Sequence, residues 1–259
     1  MADWNPFPHA SRFSWNALSV ASAWDRLHKG DKEPLPHELG ALNSWALFHN
    51  GELEAAYREG LKHGVSGIHA AIKSLCIQAR YLERTPARQQ SMYLEAVRLA
   101  EEQIQKHPTH ANAHFFQAYA LGRYSHGVSV VKALAQGHGA RISTALRETL
   151  RLRPDHVDAR VALGTYHCEV IDKVGPMVAQ MTYGVKKAAG LQLFQEALDL
   201  WPESLIARIH YAASLVRMEG DAMLPEARKL YESTLSLDPA DALELLEQSL
   251  AERLLGELR

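Results

Sequence analysis

From Pro86 onward the apolar positions recur at helical spacing, and the runs are cut by prolines in the same phase. Pro108, Pro154, Pro202 and Pro239 each close one such run. Four residues before them stand Ile104, Leu150, Leu198 and Leu235; eight before stand Ala100, Leu146, Phe194 and Tyr231. Positions four and eight apart share one face of a helix. Proline then ends it, because it has no amide hydrogen and disfavours helical geometry in the residue before it. Ten residues after the first three prolines stand Ala118, Gly164 and Ala212, small side chains where two helices can approach closely. Punctuation in a fixed phase predicts stacked helical hairpins, an all-α chain.

Upstream the pattern predicts further helices. Pro86 opens ARQQSMYLEAVRLAEEQIQKH, and Ser66 opens SGIHAAIKSLCIQARYLE. HELGALNSWALFHN and GELEAAYREGLKHG form an earlier hairpin. SWNALSVASAWDRLHKG reads as one more helix, stopped by Gly30, Pro34 and Pro36. The last segment carries Leu243, Leu246, Leu250 and Leu254 along one face with acidic residues opposite, as a capping helix would. No linker or strand pattern interrupts the series. The expected organisation is therefore one domain over 1–259: N-terminal helices over 1–65, repeat units over 66–240 and a cap over 241–259.

The phrases LQLFQEALDLWP and ARKLYESTLSLDP resemble the tetratricopeptide repeat superfamily, whose unit of about 34 residues is a helix A, a turn and a helix B. With each proline at position 32 of that pattern, position 20 falls on Ala96, Ile142, Gly190 and Ala227, and position 27 on Gln103, Thr149, Ala197 and Thr234. The prolines are 46, 48 and 37 residues apart, so two units are long. The excess lies between helix A and helix B, over about 124–140 and 173–187. Gly127-VSVVKALAQ-Gly137 and Gly175-PMVAQMTY-Gly184 are both mostly apolar and bounded by glycine. An ordinary solvent loop is richer in Asp, Asn and Ser. The insertions are expected to bury against each other, a partner or a ligand. The fold that the resemblance implies is a tetratricopeptide-like α-solenoid of antiparallel hairpins with elongated A–B insertions.

The segments RYSHGVSVVKALAQGHGARISTALRETLRLRPDHVDARVALGTYH and TYGVKKAAGLQLFQEALDLWPESLIARIHYA narrow the likeness. They are similar to uncharacterised proteobacterial repeat proteins. More distantly they resemble the T component of tripartite ATP-independent periplasmic transporters and the regulator of microtubule dynamics family. The transporter resemblance implies elongated hairpins around a hydrophobic ligand cleft.

Charge adds an exclusion. With 28 basic and 30 acidic residues the chain lacks the basic excess that nucleic acid or an anionic membrane attracts. No apolar run reaches the roughly 18 residues of a membrane span. Cys76 and Cys168 form no CxxC pair and read as buried free thiols of a reducing compartment. The N-terminus has no apolar export segment. A soluble cytoplasmic protein is expected.

The chemistry is sparse. No nucleophile elbow, phosphate loop or dinucleotide fingerprint is present, so the expectation is a non-enzymatic chain without cofactor or metal. The 14 histidines invite a metal, and His110 and His114 could share a face near His107, but no HExxH or Cys/His cluster supplies a third ligand. Surface or groove histidines are expected instead. The favoured role is a scaffold whose concave face, made by the A helices, binds a peptide or partner protein through Asn112, His114, Arg160, His167, Arg208 and Tyr211. The alternative is a pocket for a small hydrophobic ligand between the insertions. It would be lined by Tyr124, Val130, Leu134, Met177, Met181 and Tyr183, with Lys132 and Glu169 as polar members. Self-association through the apolar insertions is a further expectation.

Overall fold

Each proline-closed phrase ends its helix in the same way. His107, Arg153 and Trp201, the residues before three of the prolines, have φ/ψ of −137°/70°, −134°/85° and −146°/88°. Each donates its N–H to the carbonyl four residues back, on Gln103, Thr149 and Ala197. Those three acceptors are the position-27 residues, and all are buried. The next helix starts four residues later in each case. His156 and Ser204 cap two of these starts, accepting from the amides of Ala159 and Ala207.

The computed structural model describes residues 4–128 and 136–258. Among them are fourteen α-helices and no strand. The chain divides into two compact units. One comprises Met1–Arg153 with Asp241–Leu243, the other Pro154–Ala240 with Glu244–Arg259.

In the first unit the helices are α1 (Ala17–Ser22), α2 (Trp24–Leu27), α3 (Leu39–Asn50), α4 (Leu53–Lys62), α5 (Gly64–Ile77), α6 (Pro86–Lys106), α7 (Ala111–His126) and α8 (His138–Leu152). The helix expected from Ser14 is two short ones. Asn16 caps α1 in a capping box with Ser19, and the chain turns at Ala23. The Trp24 indole donates to the carbonyl of Glu33, which holds the following loop against it. α5 lies at the centre: eleven of its fourteen residues are buried. It packs on α3, α4, α6 and α7. A helix buried on nearly all sides must be apolar all round, and its few polar members must find partners inside. Against α4 the approach is backbone to backbone: a Cβ added at Gly60 would lie 2.6 Å from the Gly67 carbonyl oxygen.

In the second unit α9 (Val157–Val174) packs on α11 (Lys187–Leu200) and α12 (Leu205–Glu219), and α12 packs on α13 (Leu224–Leu235). α14 (Ala242–Glu257) closes the chain, with Leu250 and Leu254 against Ala212, Ala227 and Tyr231. Its acidic residues do not all face away. Glu244 and Glu247 are buried, and Glu244 accepts from the amide of Ala240. The extra length between α9 and α11 holds a separate helix, α10 (Pro176–Tyr183). Of the earlier insertion, residues 129–135 lie outside the described residues.

Gly164 and Gly190 set the distance between α9 and α11. A Cβ on Gly164 would lie 2.9 Å from the Gly190 carbonyl oxygen and 3.0 Å from the Phe194 ring. The Gly164→Leu variant is therefore expected to lose about 1–3 kcal/mol, read as a lower urea midpoint. Unchanged stability would mean that α9 and α11 do not touch through Gly164.

Candidate functional site

The residues expected on a binding face have varied surroundings. In the first unit Asn112 is buried, and its amide donates to Glu33. His114 is half-buried, with Nε2 2.8 Å from the carbonyl oxygen of Pro108. Tyr124 packs near His138, ring centroids 5.8 Å apart. Val130, Lys132 and Leu134 lie outside the described residues.

In the second unit Arg208 ties a turn to a helix end, donating to the carbonyls of Pro202 and Ser233. His167 is buried, its Nδ1 3.2 Å from the Lys186 carbonyl oxygen. Arg160 pairs with Glu196 at 3.5 Å, and Tyr211 accepts from the Gln195 amide while stacking on Phe194. Arg160, Glu169 and Tyr211 are half-buried. Thus Asn112, His167 and Arg208 serve internal contacts, while Arg160 and Tyr211 keep part of their surface.

α10 is held and aimed by its glycines. Gly175, at φ 79°, lets the chain turn out of α9, and Pro176 starts the new helix. Gly184 closes it in the left-handed conformation. Ala179 and Val185 are fully buried beneath. The opposite side presents Met177 at 75%, Val178 at 49% and Met181 at 82% exposure. Tyr183 is half-buried beside them, and Lys173, Lys186 and Lys187 are exposed nearby. Lys187 pairs with Glu219 at 2.9 Å.

A second site was not expected from the sequence. Six histidines are buried, not exposed: His28, His49, His69, His138, His156 and His167. Three of them join Asp31, Glu33, Lys73, Asn112 and Asp241 in one network inside the first unit. Lys73 Nζ lies 2.6 Å from Asp31 Oδ2, and His28 Nδ1 2.9 Å from Asp31 Oδ1. His49 Nδ1 lies 2.6 Å from Asp241 Oδ2, and its Nε2 3.3 Å from that of His28. Glu33 takes His69 Nδ1 at 2.9 Å and the Asn112 amide.

Aromatic rings wall the network. Trp24 stacks on His28, and Trp45 lies across both His28 and His49. The Lys73 ammonium sits 5.1 Å from the Phe48 ring centre and 5.7 Å from that of Trp45, so cation–π attraction adds to its ion pair. Two buried nitrogens, Trp45 Nε1 and His69 Nε2, have no hydrogen-bond partner among the described residues.

Burial pushes the Asp31 carboxyl up, but Lys73 and His28 outweigh it and hold it well below the usual carboxylate range. Burial lowers His69, but Glu33 outweighs burial and the imidazole is raised. Burial lowers His49 to about 4 despite the pull of Asp241. The arrangement thus keeps Asp31 ionised, favours the protonated form of His69 and leaves His49 unwilling to accept a second proton. Two sequence signals point to it in hindsight: Lys73 alone in the apolar run HAAIKSLCI, and alternating Asp31 and Glu33 in a Gly/Pro-bounded loop.

Among the described residues no group of three or more histidine, cysteine or acidic side chains is placed to hold a metal, and no helix is long and apolar enough to cross a membrane. No protein-family model and no curated protein matches the chain.

Proposed function

We propose that the chain is a non-enzymatic tetratricopeptide-like scaffold that binds a partner protein or peptide, with α10 of the second unit as its principal contact. One observation carries this reading. α10 is a glycine-bounded helix that buries Ala179 while Met177, Val178 and Met181 stay in water. Side chains of this kind grouped on one helix favour burial against a partner, and methionine adapts its shape to what it meets. The recurrent pre-proline caps at His107, Arg153 and Trp201 support the repeat part of the proposal. Arg160 and Tyr211, with surface remaining on α9 and α12, are the polar contacts of a concave face.

A pocket for a small hydrophobic ligand is less well supported. It calls for Met177 and Met181 around an enclosed space, and their exposure favours an open contact.

The test is photo-crosslinking from position 181 in cells, alongside a Met177→Asp/Met181→Asp variant. A crosslinked partner, bound at least tenfold more weakly by the variant, is expected, since a central contact side chain contributes about 2 kcal/mol or more. The variant should unfold within about 0.5 kcal/mol of the parent, because both positions are exposed. A product of twice the chain mass would make the partner a second copy. Lipid but no protein at position 181 would overturn the proposal.

A further inference from the structure

The first unit contains a linear run of four titratable side chains, Asp31–His28–His49–Asp241. Its contacts are 2.9 Å from Asp31 Oδ1 to His28 Nδ1, 3.3 Å between the two Nε2 atoms, and 2.6 Å from His49 Nδ1 to Asp241 Oδ2. A hydrogen bond needs one proton between its two heavy atoms, so three bonds need three. Two ionised carboxylates and two neutral imidazoles carry only two. With two protons both imidazoles donate from Nδ1, and two Nε2 lone pairs confront each other. With four, two N–H groups confront each other. Three satisfy every contact, and this count does not depend on which atom of each pair holds the proton.

The structure assigns a buried proton-binding site between Nε2 of His28 and Nε2 of His49, holding one proton more than the four groups carry as carboxylates and neutral imidazoles. The groups facing it agree. Asp31 lies on the same segment as His28, Lys73 faces it from α5, and Asp241 comes from the 241–243 segment. The Asp31 and Asp241 carboxylates close the two ends of the run and favour a positive charge on the imidazoles between them. Contact with a carboxylate at each end offsets the desolvation of a charged imidazole, so the site retains its proton. It refuses a second one: burial, with repulsion from His28 and Lys73, lowers His49 to about 4.

The proton acts as a clasp. It joins side chains 21 residues apart, and through His49 it reaches Asp241, a further 192 residues along the chain. A proton held more tightly folded than unfolded contributes stability that is full below the ordinary imidazole value of about 6.5. That stability is lost as pH rises through the folded value.

The experiment is nitrogen-15 NMR of the histidine-labelled full chain, assigned by through-bond correlation and therefore needing no variant. The proton is expected to be bound at least tenfold more tightly than by a free imidazole. One N–H between the two Nε2 atoms should then persist at pH 7.5, one unit above the ordinary value of about 6.5. Two bare Nε2 atoms at that pH would overturn the site. Thermal unfolding adds a second readout. The alkaline fall in the melting temperature should be shallower in His28→Gln, which keeps the Glu33–His69 pair, and an equally steep fall would count against the clasp. The α10 contact plays no part in either measurement.

Discussion

Replacing Lys73 with methionine is expected to destabilise the chain by about 3–5 kcal/mol. The side chain is similar in length, so little packing is lost. What is lost is the cation 2.6 Å from a carboxylate that has almost no contact with water. Among the described residues Asp31 would keep only His28 and the Glu33 amide as partners. An uncompensated buried charge costs more than the intact pair contributes, because desolvation is no longer offset. The Asp31→Asn/Lys73→Met double variant should therefore lose less than the sum of the two single losses, with a coupling of about 1 kcal/mol or more.

The pH dependence has a definite sign. The Asp31 carboxyl is held below its unfolded value, so its contribution is present above about pH 3.9 and disappears as pH falls through the folded value. Lys73→Met should flatten that acid arm. Urea unfolding of the full chain at several pH values reads both effects. A loss under about 1 kcal/mol for Lys73→Met would show that water reaches the pair.

The second large effect is expected at Phe194, where alanine should cost about 3–5 kcal/mol. The ring is fully buried among Val157, Val161, Cys168, Ala197, Trp201 and Ala207, and it stacks on Tyr211 at 5.7 Å. A cavity at this point cannot easily collapse. α9 and α11 already touch through the backbone at Gly164 and Gly190, so they cannot move closer to fill it. A smaller loss is expected for Phe194→Leu, which keeps most of the volume. Equal losses for the two variants would show that ring stacking on Tyr211, and not filled volume, stabilises the site.

Phe194 was legible in the sequence, because it stands eight residues before a proline in the same phase as Leu146 and Tyr231. The same holds for Gly164 and Gly190, whose size has meaning once the helices on either side are in register. Asn112 and Arg208 show where such reading stops. Their positions on the helices were predicted, but their hydrogen-bonding groups turn inward, to Glu33 and to the carbonyls of Pro202 and Ser233. Helical periodicity gives the face on which a residue lies, and it says nothing about a distant segment that arrives to take its polar atoms.

By itself the sequence determined what is local. Apolar spacing and proline chemistry act within a turn or two of the chain, so they set the helices, their ends and the small residues at their crossings. The glycines and proline that bound α10 are of this kind. The tertiary structure alone decided that Met177 and Met181 face water, because exposure depends on what else packs against the helix. It alone decided that His28, His49 and Asp241 form one chain, because those contacts span 21 and 192 residues. Polar side chains at such separations leave no periodic trace, and only the folded backbone brings their atoms within hydrogen-bond range.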